Sequence, residues 1–142
     1  MKRKLLILAA GIVFLVAISW IGGILSNAAP RTSTAHVQTS QAGPYRVTLQ
    51  VDPNPPLLTQ PATVSLQLAN SSQQAITDAQ VFIDSTMMTM DMGTARDEAH
   101  SQGNGVYRAQ VQFAMSGSWE LHVVINRSGQ KVVETTFQVT AQ

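Results

Sequence analysis

The sequence contains no cysteine, and charged residues make up only 12% of its 142 positions. The absence of cysteine excludes a disulfide framework, a cysteine nucleophile, thiolate zinc sites and a lipoprotein anchored through cysteine. Residues 27–142 contain six Lys/Arg and eight Asp/Glu, which gives this part of the chain a formal net charge of −2. Because the basic residues form no cluster there, the composition also argues against a nucleic-acid-binding protein.

Catalytic motifs are missing as well. The sequence has no glycine-rich phosphate loop, no H-E-x-x-H motif and no Ser/His/Asp spacing that indicates a hydrolase. Asp97 and Glu98 are adjacent along the chain, and we expect them in a solvated turn rather than as an acid/base pair. We therefore predict that the protein is not an enzyme and has no small-molecule substrate.

Residues 1–26 contrast with the rest of the chain. Lys2, Arg3 and Lys4 precede an almost wholly apolar run from Leu5 to Leu25, and about 20 such residues span a membrane as a helix. The run is longer than the apolar region of a typical signal peptide, so we expect an uncleaved anchor, with cleavage near Ala28 as the alternative. The positive-inside rule then gives a single-pass protein of the cytoplasmic membrane, with the C-terminal domain on the periplasmic or extracellular side. Cleavage would give a secreted domain.

Residues 27–43 are polar and small, which is typical of a flexible linker. Residues 44–142 form the domain, and turn residues such as Asp52-Pro53 and Asn104-Gly105 separate its short segments. Apolar and polar residues alternate in runs at 45–51, 64–68, 81–83, 107–113, 119–125 and 133–139. This pattern predicts an all-β fold, an immunoglobulin-like antiparallel β-sandwich of six to seven strands, preceded by one N-terminal transmembrane or signal helix.

Methionine is concentrated in one short segment. Four of the six methionines fall at 87, 88, 90 and 92. If residues 86–92 are extended, Met88, Met90 and Met92 share one face. Neutral, polarisable thioethers suit Cu(I) better than zinc, magnesium or calcium. The segment therefore predicts a Cu(I) site.

Other residues could complete this site, or the methionines could have a different role. His100 is either a further ligand or a plain loop residue, whereas we expect His122 on the surface beside Glu120. Met115 is expected in the core, with closure of the metal site as the alternative. Methionine also fills cores, so packing is the competing interpretation, although Asp91 makes the segment poor core material.

Three motifs occur in order: M-T-M-D-M-G at 88–93, G-V-Y at 105–107 and F-A-M-S-G-S-W at 113–119. Together they resemble the YtkA-like domain, a family of small exported or membrane-anchored bacterial proteins with FixH-type proteins as neighbours. The resemblance covers roughly residues 44–140. It implies an immunoglobulin-like sandwich and a role in copper handling. It also implies that Tyr107, Gly117 and Trp119 are structural and that the family's methionines fall on Met88, Met90, Met92 and Met115.

Two functional hypotheses remain. The first is a membrane-tethered, copper-binding accessory protein that delivers Cu(I) to a respiratory haem-copper oxidase or supports copper tolerance, with Met88, Met90, Met92, His100 and Met115 as ligands. Its partners would be the membrane, through the N-terminal helix, and an oxidase assembly or copper-transport protein. The second hypothesis is an accessory domain of a membrane complex that binds no metal, in which the methionines pack or contact the partner.

Overall fold

The computed structural model describes residues 35–142, which form β-strands and no helix. The strands are β1 (Val37–Ala42), β2 (Tyr45–Asp52), β3 (Ala62–Asn70), β4 (Ala79–Met87), β5 (Thr94–Gly103), β6 (Val106–Val111), β7 (Gly117–Arg127) and β8 (Val133–Ala141). The predicted N-terminal helix of residues 1–26 lies outside the described residues. Within residues 35–142, no helix is long and apolar enough to cross a membrane.

The eight strands form one antiparallel sheet in the order β1-β2-β3-β6-β5-β4-β7-β8. Its first and last strands approach each other. Gln38 on β1 donates from Nε2 to the carbonyl oxygen of Gln138 on β8 at 2.7 Å. The Thr135 hydroxyl on β8 donates to the Ser40 hydroxyl at 2.7 Å. The sheet is therefore nearly closed into a barrel, which confirms the predicted all-β antiparallel class.

The core lies inside this curved sheet. Alternate residues point inward, and the inward-facing apolar members of the six predicted runs are buried there, except Val133, which is partly buried. The largest fully buried side chains are Tyr107, Phe113, Leu49, Leu66, Leu68, Ile83, Leu121, Ile125, Val47, Val64, Val81 and Val111. Burial of apolar side chains stabilises a fold by roughly 1.5–3 kcal/mol for each large one. Apart from residues 112–113, which follow β6, the six runs lie in β2, β3, β4, β6, β7 and β8, so their assignment as strands is confirmed.

The turn between β5 and β6 follows the sequence prediction. Gly103 pairs with Val106, which leaves Asn104 and Gly105 as a two-residue hairpin loop. Their φ angles are 53° and 75°, a conformation that asparagine and glycine tolerate better than other residues. A Cβ on Gly105 would also lie only 2.6 Å from the carbonyl oxygen of Leu68, so this position requires glycine.

The structure has two strands that the sequence analysis did not predict, which corrects the strand number from six or seven to eight. β1 begins at Val37, within the predicted linker, and β5 contains Asp97 and Glu98, which we expected in a solvated turn. In β1 the inward-facing positions include Gln38 and Ser40, which bond to β8. In β5 the inward face carries Asp97 between small alanines. Neither strand therefore has the apolar alternation that reveals a strand from sequence.

One end of the sheet carries three loops, at residues 53–61, 88–93 and 112–116. We call this the methionine end, because Met88, Met90, Met92 and Met115 lie in these loops. The side chain of Gln112 donates to the carbonyl oxygen of Leu58 at 2.9 Å and links two of the loops. β1 also begins near this end, since Val37 pairs with Gln50, two residues before β2 finishes at Asp52.

Candidate metal centre

The chain leaves β4 between two adjacent methionines. Met87 is the last residue of β4 and is only 6% exposed. Its Cε atom packs so close to Gly117 that a Cβ there would lie 3.0 Å away. Met88, Met90 and Met92 follow in the loop and are 50%, 53% and 48% exposed. The strand therefore ends at Met87, so the extended conformation that would place Met88, Met90 and Met92 on one face does not continue past that residue.

The assignment of the methionines changes accordingly. Met87 belongs to the core, and Met88 belongs to the exposed set that could bind a ligand. The loop after β4 is held at both ends. The amide of Met88 donates to the carbonyl oxygen of Ser118 at 2.9 Å. The carboxylate of Asp91 accepts from the amide of Gly93 at 3.2 Å.

Met115 lies in the loop between β6 and β7 and is 39% exposed, so its expected place in the core is wrong. The indole of Trp119 fixes this loop, because its Nε1 donates to the carbonyl oxygen of Met115 at 3.0 Å. The Trp119 ring meets the buried Phe113 ring edge to face, with centroids 5.4 Å apart. In the F-A-M-S-G-S-W motif, the packed rings of Phe113 and Trp119 thus support the loop that carries the exposed Met115.

The two methionine-bearing loops are neighbours. Met87 pairs with Trp119 across β4 and β7, and the amide of Met88 bonds to Ser118, three residues after Met115. An extended segment over residues 86–92 would have placed three methionines on one face of a strand. The structure instead presents four partly exposed methionines from two adjoining loops.

His100 does not join this end of the sheet. It is exposed on β5, opposite Arg108 on β6. It lies six positions after Thr94, where β5 begins, and this corresponds to about 20 Å of extended strand. His100 is therefore remote from the loop that carries Met88, Met90 and Met92, and the structure does not support it as a shared ligand.

His122 faces outward on β7, as the sequence predicts. Its Nε2 lies 3.2 Å from Oε2 of Glu134 on β8. On its other side it is opposite Asp84 on β4, and Glu120 lies two residues away on the same face. His122 therefore belongs to a cross-strand polar row rather than to the methionine end.

A bidentate ion pair lies in that row. Arg96 donates from Nε and Nη2 to the two carboxylate oxygens of Asp84 at 2.6 and 2.7 Å. These bonds hold the pKa of the Asp84 carboxyl below its ordinary value, against the opposing effect of burial. The Arg96 guanidinium also lies over the Phe82 ring, 5.5 Å from its centroid. The guanidinium of Arg96 is therefore already bound by the carboxylate of Asp84.

The described part of the domain offers few ligands for hard metal ions such as calcium and magnesium. Among residues 35–142, no group of three or more His, Asp or Glu side chains is placed to hold a metal ion. What the methionine end offers is thioether sulfur, which is neutral and soft. This donor chemistry fits Cu(I) and does not fit calcium, magnesium or a carboxylate-bound metal.

Tyr107 and Gly117 have structural roles, as the resemblance implies. The buried Tyr107 hydroxyl donates to the carbonyl oxygen of Ile76 at 3.0 Å and accepts from the amide of Ala79 at 3.2 Å. It therefore ties β6 to the segment that leads into β4. Gly117 opens β7 with a φ of 132°, a conformation that favours glycine.

A known protein family matches the part of the chain that contains these residues. The model of the YtkA-like family matches residues 39–124, more than half of the chain. The chain belongs to the YtkA-like family. The match runs from β1 through most of β7, so it includes both methionine-bearing loops of this YtkA-like protein.

A solved structure supports the fold. The YtkA-like chain is similar to the crystal structure of a DUF4426 family protein from Pseudomonas aeruginosa, with a TM-score of 0.50 and 10% sequence identity. The similarity covers 72% of this chain and 94% of that one. At this identity the likeness concerns the fold alone. No curated protein matches the sequence.

Proposed function

We propose that this YtkA-like protein is an exported, membrane-tethered, copper-binding accessory protein that receives or hands over Cu(I) at its methionine end. One observation carries the proposal: Met88, Met90, Met92 and Met115 are all 39–53% exposed on two adjoining loops. Methionine is usually a buried residue. Four exposed thioethers at one end of a domain therefore suggest a use for their sulfur atoms.

The donor set is narrower than the one expected from sequence. With His100 remote on β5, the proposed ligands are Met88, Met90, Met92 and Met115. Thioethers bind without losing a proton, so they would hold a soft monovalent cation over a wide pH range. In an exported protein they also offer sulfur that does not form disulfides. Copper would be the cargo of such a protein, supplied to a haem-copper oxidase or removed for tolerance.

The predicted anchor supports a function at the membrane. If residues 1–26 are the uncleaved anchor that the sequence predicts, they would keep the domain at the membrane surface. Cu(I) would then be exchanged with a partner embedded in the same cytoplasmic membrane, on its periplasmic or extracellular side.

We also propose that the domain is an immunoglobulin-like sandwich. In this description β1, β2, β3 and β6 form one sheet, β4, β7 and β8 form the other, and β5 passes from one to the other. Support comes from the pairing of β5, which contacts β4 through residues 94–99 and β6 only through residues 100–103.

The test is a Cu(I) titration of the full-length chain in detergent against a competing chromophoric chelator. We expect the double variant Met90→Leu/Met92→Leu to weaken Cu(I) affinity by at least about tenfold. Met87→Leu is the matched control, since it replaces a buried methionine with a residue of similar volume. Equal Cu(I) affinity of the wild-type protein and the double variant would refute the proposal.

A second candidate function rests on the same exposed methionines. Flexible methionine side chains adapt to different partner surfaces, so the methionine end could contact a membrane complex without any metal. In that case leucine replacements would preserve binding to the partner, and copper chelation would leave the complex intact. The Cu(I) titration separates the two functions, because only the first requires sulfur.

A further inference from the structure

β5 has two different neighbours along its length. Its first half, Thr94–Ala99, pairs with β4 on one side. Its second half pairs with β6, beginning at His100 opposite Arg108. In the described part of the chain, no strand pairs with Thr94–Ala99 on the side away from β4. This half of β5 is therefore a strand edge with unpaired backbone groups.

A wedge opens where β5 and β6 separate. It has a volume of about 350 Å³ and is lined by Asp97, Glu98, His100, Arg108, Ala109 and Gln110. Thr94, Ala95, Arg96 and Glu98 are exposed on the β5 side. Ala95 is exposed although its partner Ser85 is buried, so the inner side of this edge is accessible too.

The inward side of the edge carries a single carboxylate. Asp97 is opposite Ile83, which is fully buried, and cross-strand partners share a face. Asp97 thus points inward between Ala95 and Ala99, and it is not in a solvated turn as the sequence suggested. Among residues 35–142, no hydrogen bond or ion pair to the Asp97 carboxylate is found, and burial raises its pKa.

The surrounding charges leave Asp97 without a counter-ion. Arg96 points to the other face and is bound to Asp84. Glu98, His100 and Arg108 also lie on the outer face, and Arg108 is at the closed end of the wedge, opposite His100. Ile83, on the packed strand β4, carries no charge. On the inner face of the edge, the acidic Asp97 therefore lies between the small residues Ala95 and Ala99.

We propose that Thr94–Ala99 is a docking edge for an extended peptide segment of a partner protein, with a lysine or arginine opposite Asp97. Such a segment would add a strand to β5 through main-chain hydrogen bonds, and alternate side chains would give specificity. The small, exposed Ala95 leaves room for an apolar side chain beside the cation, whereas Ala99 on the other side is already buried. Six residues of edge correspond to about 20 Å of added strand.

The position of this edge relates it to the methionine end. Thr94 directly follows the loop with Met88, Met90 and Met92, so a partner strand bound here would reach the methionine loop. The docking edge does not depend on copper binding, and its test contains no metal. An inward-pointing charge can also serve only to protect an edge from unwanted pairing, and the test must separate that role from docking.

The probe is a capped, fluorescently labelled heptapeptide, Thr-Val-Thr-Lys-Thr-Val-Thr, titrated against the full-length chain in detergent. Its Val-Lys-Val face complements Ala95, Asp97 and Ala99. Fluorescence anisotropy measures affinity, and hydrogen exchange locates protection. We expect binding below about 1 mM, at least about tenfold weaker binding of the peptide with glutamate in place of lysine, and new amide protection within residues 94–99.

Two protein variants test the carboxylate. Asp97→Asn removes the inward charge and should weaken binding of the lysine peptide at least about tenfold. Glu98→Gln is the matched control, because it removes one negative charge from the next residue on the opposite face and should change affinity less than about twofold. Thermal melts of both variants establish that they are folded.

Three results would overturn the proposal. These are equal affinity for the lysine and glutamate peptides, equal loss in Asp97→Asn and Glu98→Gln, and protection outside residues 94–99. A fourth outcome also overturns it: if the wild-type chain does not bind the peptide while Asp97→Asn forms dimers, Asp97 protects the edge against a second copy of the chain. Size-exclusion chromatography with light scattering detects those dimers.

Discussion

The indole nitrogen of Trp119 donates to the main-chain carbonyl oxygen of Met115 at 3.0 Å and so holds an exposed methionine over the core. Trp119→Phe would keep an aromatic ring beside Phe113 but remove this donor. We expect a loss of about 1–2 kcal/mol in the free energy of unfolding. We also expect faster hydrogen exchange in residues 112–116, because the loop loses its anchor. Denaturant unfolding and exchange measure the two effects, and unchanged exchange in that loop would contradict the anchoring role.

Copper binding by thioethers alone should depend little on pH. Because methionine does not titrate, Cu(I) affinity should stay constant to within about threefold between about pH 5 and pH 8, the range in which histidine ligands protonate. His100→Ala should leave that affinity unchanged, since His100 lies far along β5. The measurement is the chelator competition repeated at each pH. A marked loss of affinity in acid would instead place a histidine among the ligands.

The Asp84–Arg96 pair predicts an acid-sensitive contribution to stability. The pKa of Asp84 is lowered from 3.8 in the folded protein, chiefly by the hydrogen bonds from Arg96. The ionised carboxylate therefore stabilises the fold above that value, and the stabilisation is lost as the pH falls through the lowered folded pKa. We expect Arg96→Gln to be less stable than wild type near neutral pH, with the difference shrinking below pH 3.8. Urea unfolding across this range tests it, with Lys131→Gln as a control that shows no such trend.

For Asp97 we expect the opposite effect of ionisation on the free energy of unfolding. Burial raises its folded pKa above the ordinary value of 3.8, so ionisation of the carboxylate opposes folding increasingly as the pH rises above 3.8, and fully above the raised value. Asp97→Asn should therefore raise the free energy of unfolding slightly at neutral pH, and this gain should vanish as the pH falls below 3.8. The same urea series measures it. A variant that is less stable than wild type at neutral pH would show that an ion pair holds Asp97.

The hydrogen bonds of the Tyr107 hydroxyl predict that removing this single oxygen lowers the stability of the fold. Tyr107→Phe removes one oxygen and leaves the buried carbonyl of Ile76 and the amide of Ala79 without this partner. We expect a loss of about 1–3 kcal/mol in the free energy of unfolding. Thermal unfolding followed by circular dichroism measures it as a lower melting temperature. Gln67→Ala on the polar outer face of β3 is the control and should change stability little.

Sequence reasoning succeeded where a residue's environment repeats along the chain. Val47, Leu66 and Leu121 occupy alternate positions in their strands, so their burial follows from a period of two. Asn104-Gly105 is a turn because of the backbone conformations these two residues tolerate. The motifs around Tyr107 and Trp119 led to the correct family, and the structure supplies the hydrogen bonds that explain both residues.

It failed where a strand is stabilised by a distant partner. β1 appears as linker because its inward Gln38 and Ser40 are polar, and only β8, about 100 residues later along the chain, satisfies them. β5 was missed because one of its edges is unpaired and its inward face holds Asp97 between alanines. The sequence also could not show that the chain leaves the sheet between Met87 and Met88, since both carry the same side chain.

The sequence alone determined the all-β class, six of the eight strands, the family and the concentration of methionine without cysteine, because these depend on composition, local conformation and short periods. The tertiary structure decided which methionines are exposed, that the loop with Met115 adjoins the loop after β4, and that His100 is remote from the loop after β4. It also decided that Asp97 faces inward on an unpaired edge. Those facts depend on strand register and on where neighbouring strands diverge, and register is fixed by packing between segments far apart in the chain.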